Sequence, residues 1–485
     1  LRNVVLLVFS LVFYAWGEPV YVLIMLFSIV FDYANGRLIE HFKNKNCPGK
    51  AKAALIVDLC GNLAILGFFK YTDFVIGSIN SITGAGLSLL HIALPIGISF
   101  YTFQTMSYTI DVYRGEVAAQ KNILTFATYV TLFPQLIAGP IVRYHDVNVQ
   151  LAVRKHSFAQ FSEGISRFLF GLSKKVLLSN VFAQIADGVF KYAPNELSAA
   201  GAWMGAIGYT LQIYFDFSGY SDMAIGLGKM FGFAFLENFN YPYISKSVTE
   251  FWRRWHISLS TWFRDYVYIP LGGNRKGTAR MYLNLFIVFL VSGIWHGAGW
   301  NFVLWGALHG ALYLVTRAWQ RRQPWQLKQP RQQCAADVHV QSGTKKSDVL
   351  SAVQHVLCVA LTFLFLNFTW MLFRSANLSQ AGEFVGRLIG GGFAAPAVQI
   401  TEAFNLEEFW YVIKILHLDR LPGSELYLCF GFLAVALWLV FFARNAGERE
   451  KSFEPNGKTM FVTAFLMIWC VVSLSGVSSF LYYRF

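Results

Sequence analysis

Apolar residues recur along the chain in long segments that are separated by short polar stretches. A helix needs about 20 such residues to cross the hydrocarbon layer of a bilayer, and several of the segments reach or approach that length. The segments fall at about 3–16, 19–34, 53–69, 89–108, 122–139, 163–186, 199–215, 281–296, 300–316, 349–373, 425–443 and 459–479. This pattern predicts an all-α fold, a polytopic bundle of membrane helices.

Two of the segments contain residues that interrupt a helix. Residues 94–97 have the sequence LPIG, and residues 133–139 run directly into Pro140. A bilayer tolerates such breaks only where other protein or a water-filled cavity satisfies the freed backbone groups. We therefore expect broken or re-entrant helices around a central funnel.

The composition agrees with a membrane protein. Of the 485 residues, 55% are hydrophobic and 14% are charged, whereas a soluble protein has about 25% charged residues. The formal charge is +13, but the basic residues lie in short runs between apolar segments, which is typical of topology signals and not of a nucleic-acid-binding face. The six cysteines show no metal-ligand spacing, so we predict neither a metal centre nor a disulfide framework.

The charges of the connecting loops predict how the chain is oriented. Loops 37–52 and 317–346 are basic and should be cytoplasmic, whereas loop 375–425 is mostly acidic and should lie outside. The chain begins at Leu1, already within an apolar run, so we expect a further segment before it. The predicted units are a membrane core at 1–316, a basic cytoplasmic linker at 317–348, and a C-terminal transmembrane bundle with an outer tail at 349–485.

Ionisable residues at membrane depth are costly, so the few that occur there indicate function. The first cluster of them, at 214–222, holds Asp216 and Asp222 among aromatic and hydroxyl side chains. These carboxylates either end a helix, where they cap backbone amides or pair with an arginine, or they contact substrate or donor directly.

The second cluster lies at 250–266. Helical spacing would bring its apolar residues to one face, namely Trp252, His256, Leu259 and Phe263, and leave three arginines elsewhere, namely Arg253, Arg254 and Arg264. The pattern is typical of an interfacial amphipathic helix whose arginines bind lipid phosphates. The same arginines could instead bind the phosphates of a donor. The histidine on the apolar face needs a partner or a function.

The third cluster centres on His296, which three glycines flank in a segment without charged residues at 281–316. Imidazole titrates near neutrality, so a buried histidine that reaches a hydroxyl can act as a general base. His256 or Asn301 could orient the substrate or stabilise an oxyanion. The alternative is a packed core histidine, and this suits His309 better, because it falls on the opposite side of an ideal helix. Zinc is a weak alternative, since no acidic or cysteine ligand lies at suitable spacing.

A set of motifs in a fixed order resembles the membrane-bound O-acyltransferases. Within that family the resemblance is greatest to the bacterial proteins that acetylate alginate and related envelope polysaccharides. It extends over about residues 1–316 and is more diffuse afterwards. The motifs are YAWG at 14–17, LPIGISFY at 94–101, IDVYRG at 110–115, LIAGP at 136–140, the aspartate cluster at 216–222, RRWH at 253–256, LGGNR at 271–275 and WHG at 295–297.

The resemblance implies a helical bundle around a funnel that links a cytoplasmic donor site to the outer face of a bacterial inner membrane. It implies that His296 is catalytic and that His256 is a second active-site residue. The donor implied is acetyl-CoA, used as a substrate with no bound cofactor, and the acceptor is an extracytoplasmic polysaccharide. A secreted or membrane-tethered hydrolase-like partner is expected to complete the transfer.

The chain ends in FLYYRF at 480–485, which resembles the F-x-Y-x-x-F terminus of several envelope acylation proteins. That resemblance implies that Tyr482 carries the acyl group before a partner collects it. The alternative is an aromatic belt at the end of the last span.

Two other classes of function fit the membrane pattern. A transporter or flippase for an envelope-polymer precursor would use the polar clusters to line its substrate path. A non-catalytic scaffold for polymer export would leave acetylation independent of His296.

Overall fold

A computed structural model describes residues 1–322, 345–392, 410–417, 420 and 424–474, and these residues form helices and connecting loops without a β-strand. The all-α prediction is therefore confirmed. The α-helices in chain order are α1 (Arg2–Gly17), α2 (Val22–Asn44), α3 (Pro48–Thr83), α4 (Ile98–Arg114), α5 (Ile123–Thr131), α6 (Phe133–Leu136), α7 (Tyr144–Ala152), α8 (Phe158–Ser173), α9 (Asn180–Phe190), α10 (Ala199–Met230), α11 (Val248–Arg254), α12 (Ile257–Phe263), α13 (Thr278–His296), α14 (Trp300–Arg322), α15 (Lys345–Arg374), α16 (Leu378–Gly390), α17 (Trp410–Ile415), α18 (Ser424–Phe442), α19 (Ala446–Lys451) and α20 (Gly457–Ser473).

Several helices are long and apolar enough to cross a membrane, so the chain is a multi-pass membrane protein. Among the described residues four helical segments meet both conditions: Val22–Asn44, Pro48–Thr83, Thr278–His296 and Ser351–Arg374. Large hydrophobic side chains remain exposed on these helices, as a lipid-facing surface requires.

The two predicted helix breaks are present. No regular structure occurs at 84–97, and α4 begins after Gly97, whose φ of 76° favours glycine. A Cβ atom at Gly97 would also lie 2.6 Å from the carbonyl oxygen of Leu136. The second break separates α5 from the short α6 at Leu132. The end of the first interrupted segment therefore packs against the second one.

Two expectations about local structure were wrong. The aspartate cluster does not end a helix, because α10 continues through Asp216 and Asp222 to Met230. Residues 250–266 do not form one helix either: α11 ends at Arg254, His256 has a φ of 43°, and α12 follows in a new direction. The apolar residues of that segment are nevertheless buried, so it is part of the protein core and not an interfacial helix.

Two lysines neutralise the aspartates in the middle of α10 and so allow the helix to continue. Helix α8 continues into a π-helical turn at Lys174–Ser179 before α9, and the first two residues of this turn face α10. Lys174 Nζ lies 2.6 Å from Asp222 Oδ2, and Lys175 Nζ lies 2.5 Å from Asp216 Oδ1. Each carboxylate is thus paired with a lysine. It does not have to lie at a helix end, where backbone N–H groups would stabilise it.

Arg167 joins distant parts of the chain through a buried ion cluster. Its side chain is 2% exposed and contacts Asp222, Glu237 and Glu450 at 2.7, 2.7 and 2.6 Å. Glu450 belongs to α19 and also pairs with Lys229 of α10. The C-terminal helices are therefore attached to the core by charge as well as by packing.

Glycines bring α8 and α10 into very close contact. Gly164 and Gly171 of α8 face Gly226 and Gly219 of α10, at the same spacing along both helices. A Cβ atom at Gly171 would lie 2.5 Å from the carbonyl oxygen of Gly219, and one at Gly226 would lie 2.6 Å from that of Gly164. Small residues at helix interfaces in membranes allow backbones to approach in this way.

We predict that Gly171→Ala destabilises the protein, because overpacking costs about 1–3 kcal/mol. Gly67→Ala is the matched control: Gly67 also lies within a helix, but a Cβ atom there meets nothing within 4 Å. Thermal unfolding in detergent should show a lower midpoint for Gly171→Ala and an unchanged or higher one for Gly67→Ala, since alanine favours helix by up to about 1 kcal/mol. Equal midpoints would contradict the close contact.

Candidate active site

His296 is the last residue of α13, at the tip of a helical hairpin. Gly297 leaves the helix in an extended conformation, and α14 begins at Trp300. The hairpin is tight because Gly293 of α13 packs on Gly306 of α14; a Cβ atom at Gly293 would lie 3.0 Å from Gly306 Cα. The glycines that singled out this histidine in the sequence thus set its position.

The imidazole of His296 lies among aromatic rings. The rings of Trp305 and Phe373 each approach it edge-on with centroids 5.2 Å away, and the ring of Trp295 is 5.0 Å away. Within the described part of the chain, neither ring nitrogen of His296 has a hydrogen-bond partner. The side chain is partly accessible from an internal cavity. Both nitrogens are therefore available to a molecule in that cavity.

The cavity contains about 970 Å³ of empty space and has mostly aromatic and aliphatic walls. The side chains of six aromatic residues line it: Phe100, Phe217, Trp255, Trp295, Trp370 and Phe373. Its few polar side chains are Lys70, Ser99, Asp216 and His296. Of the residues proposed from the sequence, the cavity therefore brings together His296 and Asp216.

Helix α3 caps the end of α13. The last carbonyls of an α-helix have no partner within the helix, and here α3 supplies donors. Lys70 Nζ donates to the carbonyl oxygens of Trp295 and His296 at 2.5 and 3.3 Å, and the hydroxyl of Tyr71 donates to that of Ile294 at 2.7 Å. Sequence reasoning missed Lys70, although a lysine directly after the apolar segment 53–69 was a visible signal.

His256 is buried near this cavity without lining it. Its Nδ1 lies 3.1 Å from Asn238 Oδ1. Because an amide oxygen only accepts, Nδ1 carries the hydrogen and Nε2 keeps a free lone pair. Nε2 has no hydrogen-bond partner. The ring of Trp295 lies beside both histidines, with centroids 6.4 Å from His256 and 5.0 Å from His296.

Asn238 also determines the backbone at His256. Its Oδ1 accepts hydrogen bonds from the backbone N–H and the hydroxyl of Ser258, and its backbone oxygen accepts from the N–H of Ile257. These bonds hold the start of α12, where His256 has its positive φ. No sequence pattern indicated Asn238, because it lies in a loop outside the recognised motifs.

The other proposed site residues lie away from the cavity. Arg253 is exposed, Arg254 pairs with Glu250, and Arg264 pairs with Asp265. Asn301 is buried and donates to the carbonyl oxygens of Leu372 and Ser375, so it joins α14 to the end of α15. Asp222 belongs to the ion cluster of Arg167. Their roles toward substrate or donor stay predictions, and Tyr482 lies outside the described residues.

His309 has the partners of a core residue. Trp252 Nε1 donates to its Nδ1 at 3.2 Å, so Nε2 carries the hydrogen and faces Thr369 Oγ1 at 3.0 Å. The Thr369 hydroxyl in turn donates to Leu366 O. Every polar atom of this buried chain of contacts is satisfied, which is the arrangement expected of a packed histidine.

Another cluster has residue types that can bind a metal. Asp111, Glu116 and His145 carry possible ligand atoms within 4.8 Å of one another. His145 lies outside the spanning helices, and its hydrogen bonds with Asp111 and Asp146 raise its pKa to about 9. A protonated imidazole has no lone pair for a metal, and Tyr266 also donates to Asp111. The cluster is an ion-pair network that joins α4, α7 and the turn after α12.

A multi-pass helical bundle that holds an unpartnered histidine in an aromatic cavity can supply the base that acyl transfer to a hydroxyl requires. The sequence comparisons agree, since residues 116–342 match the profile of MBOAT, the membrane-bound O-acyltransferase family. The chain belongs to this family and is an O-acyltransferase.

The most informative relatives come from the bacterial cell envelope. A probable alginate O-acetylase AlgI of Pseudomonas syringae pv. tomato is 45% identical over 397 residues, which cover 81% of this chain and 70% of the relative. A peptidoglycan O-acetyltransferase of Helicobacter pylori is 36% identical over 409 residues, with 79% and 72% covered. A teichoic acid D-alanyltransferase of Bacillus subtilis is 29% identical over 251 residues, with 47% and 61% covered.

We predict that Asn238→Ala lowers the rate of acyl transfer about tenfold or more. The substitution leaves His256 Nδ1 and Ser258 without their acceptor. Each unsatisfied buried group costs about 1–3 kcal/mol, so we expect the His256 ring and the start of α12 to shift away from their positions beside the cavity. The control is Asn284→Ala, which removes two buried hydrogen bonds at the opposite end of α13. Both variants should unfold at lower temperature, but only Asn238→Ala should slow transfer per folded molecule. A matching loss in the control would show that Asn238 acts on stability alone.

Proposed function

We propose that the protein acetylates hydroxyl groups of an extracytoplasmic polysaccharide, with acetyl taken from a cytoplasmic thioester donor. The observation that carries this proposal is the position of His296 in a chain of this family: both ring nitrogens lack a hydrogen-bond partner within the described residues, and the imidazole lines an aromatic cavity. The relatives named above are acyltransferases whose names refer to alginate, peptidoglycan and teichoic acid. Each of these three names refers to a polymer that carries hydroxyl groups.

The reaction needs a base at the acceptor hydroxyl, which is the Tyr482 hydroxyl if the tail carries the acetyl group and a polymer hydroxyl if it does not. His296 removes the hydroxyl proton as the oxygen attacks the carbonyl carbon of the thioester. The new O–C bond forms, the C–S bond breaks, and His296 returns the proton to the leaving thiolate. The aromatic walls exclude water, which favours transfer to the acceptor over hydrolysis.

The lengths of the helices support access from opposite sides. Helix α3 starts at the basic loop 37–52, and Lys70 follows Lys50 by about 30 Å of helix. Helix α13 starts beside Arg275 and Lys276 and reaches His296 after a similar distance. With the basic loops in the cytoplasm, His296 lies toward the outer face of an inner membrane. The thioester then has to reach it through the bundle, and the acceptor arrives from outside.

Acetyl-CoA is the donor that we propose, as a substrate and not as a bound cofactor. Its phosphates require cationic partners, and exposed Arg253 and Arg264 offer guanidinium groups outside the cavity. Arg253 has no acidic partner within the described residues, so it is the better of the two for this role.

A secreted or membrane-tethered partner completes the transfer in this proposal. With the basic loops in the cytoplasm, the C-terminal tail would lie outside, where such a partner would collect the acetyl group from Tyr482. The partner would then deliver acetyl to the polymer.

We expect His296→Ala to abolish transfer of labelled acetyl from acetyl-CoA, with a loss of about 10²-fold or more for a missing general base. The assay uses inverted vesicles with partner and polymer present, and the control is His355→Ala, whose side chain is exposed on α15. Unchanged labelling in a folded His296→Ala variant would reject the enzyme mechanism and favour a scaffold. Uptake of intact solute without covalent label would favour a transporter.

We expect Tyr482→Phe to block transfer to the polymer, because only the phenolic oxygen can form an acyl ester. Tyr483→Phe is the matched control from the same tail. Label should appear on the wild-type and Tyr483→Phe chains and be absent from Tyr482→Phe. Full polymer acetylation by Tyr482→Phe would remove the carrier step and leave the tail as a membrane-interface belt.

A further inference from the structure

Lys70 lies where two cavities meet. The second cavity contains about 700 Å³ of empty space, and it shares Lys70 and Leu94 with the cavity of His296. Its other walls include Thr72 and Asp73 of α3 and Gly297 and Ala298 of the hairpin tip. Lys70 is therefore a wall residue of both cavities.

The ammonium group has one donor left. A protonated lysine carries three N–H donors, and two of them are directed to the carbonyl oxygens of Trp295 and His296. Within the described ranges no carboxylate lies within ion-pair distance of Lys70. The nitrogen also lies 5.7 Å from the centroid of the Trp295 ring. The third N–H therefore has no protein acceptor and is free for a molecule in the cavity.

A cap alone does not explain a lysine at this place. A cation does interact favourably with a helix C-terminus, but the neighbouring Tyr71 caps the same helix with a neutral hydroxyl. An ionised residue within a membrane bundle is costly and usually serves function. Lys70 has no carboxylate partner among the described residues. We therefore look for its partner in a negative charge that develops on the substrate during the reaction.

We propose that Lys70 stabilises the oxyanion of acetyl transfer, an assignment that rests on the proposed function. As the acceptor oxygen attacks, the π electrons of the thioester carbonyl move to its oxygen, and the third N–H of Lys70 donates to this O⁻. His296 holds the acceptor proton meanwhile. When the carbonyl re-forms, the C–S bond breaks and His296 protonates the leaving thiolate, so Lys70 keeps its proton throughout. A charged donor fixed in a dry cavity is effective for this purpose.

The test compares Lys70→Gln, Lys70→Arg and Tyr71→Phe in the vesicle assay with labelled acetyl-CoA. Gln keeps a neutral N–H donor for the cap, Arg keeps the charge, and Tyr71→Phe removes one cap bond only. We expect kcat to fall about 10²- to 10³-fold in Lys70→Gln, as for the loss of one oxyanion donor, with KM for acetyl-CoA nearly unchanged. Lys70→Arg should recover at least about a tenth of the wild-type rate, and Tyr71→Phe should lose only a few-fold.

Thermal unfolding separates this role from capping. A fall in kcat for Lys70→Gln no larger than that of Tyr71→Phe would overturn the proposal, as would an equal loss in Lys70→Arg at an unchanged unfolding midpoint. If Lys70→Gln does not fold, the test uses Lys70→Met, which removes the charge, and Lys70→Arg, which keeps it. The proposal then requires a large fall in kcat at nearly unchanged KM for Lys70→Met and a much smaller fall for Lys70→Arg. If the proposed function itself is wrong, the wild-type protein transfers no acetyl. This result is distinct from a loss that is confined to the Lys70 variants.

Discussion

The active-site region depends on how one helix ends inside the protein. Helix α13 ends at His296, and its last carbonyl oxygens have no partner within the helix. Lys70 and Tyr71 of α3 donate to these oxygens. The histidine can therefore sit at the helix end, beside a glycine turn, with its ring directed into the cavity. Without donors from α3, the end of α13 would have to lie in a solvated loop.

Several buried or half-buried ions form pairs: Arg167 with three carboxylates, Lys174 with Asp222, and Lys175 with Asp216. At the cavity, His296 has free nitrogens and Lys70 has a free N–H. Unpaired polar groups inside a bundle are unfavourable, and these two can gain a partner from a polar molecule in the cavity.

Hydropathy and helix breakers were sufficient to predict the class of fold, because the bilayer leaves the backbone few solutions. Local glycine and histidine patterns also identified His296. The sequence did not indicate that α10 continues through Asp216 and Asp222, because the neutralising lysines come from a π-helical turn about forty residues earlier.

The break at His256 was missed for a similar reason. The spacing of the apolar side chains fits one helix, and they are indeed all buried, but Asn238 holds the backbone in a conformation that periodicity does not describe. Lys70 was missed because its importance depends on which carbonyl groups it meets. Contacts between residues far apart in the chain determine each of these features, and single-sequence patterns are local.

The ion cluster of Arg167 also has a consequence for biosynthesis. Its partners follow it in the chain by 55, 70 and 283 residues, for Asp222, Glu237 and Glu450 respectively. At about 5–20 residues per second, a ribosome completes the first two within seconds and needs on the order of tens of seconds for the third. The arginine is thus neutralised early by Asp222, and the core can assemble in the membrane while α19 is still unmade. Glu450 can join the cluster only after the other two carboxylates have been synthesised, so the contact of the C-terminal helices with Arg167 is the last of the three to become possible.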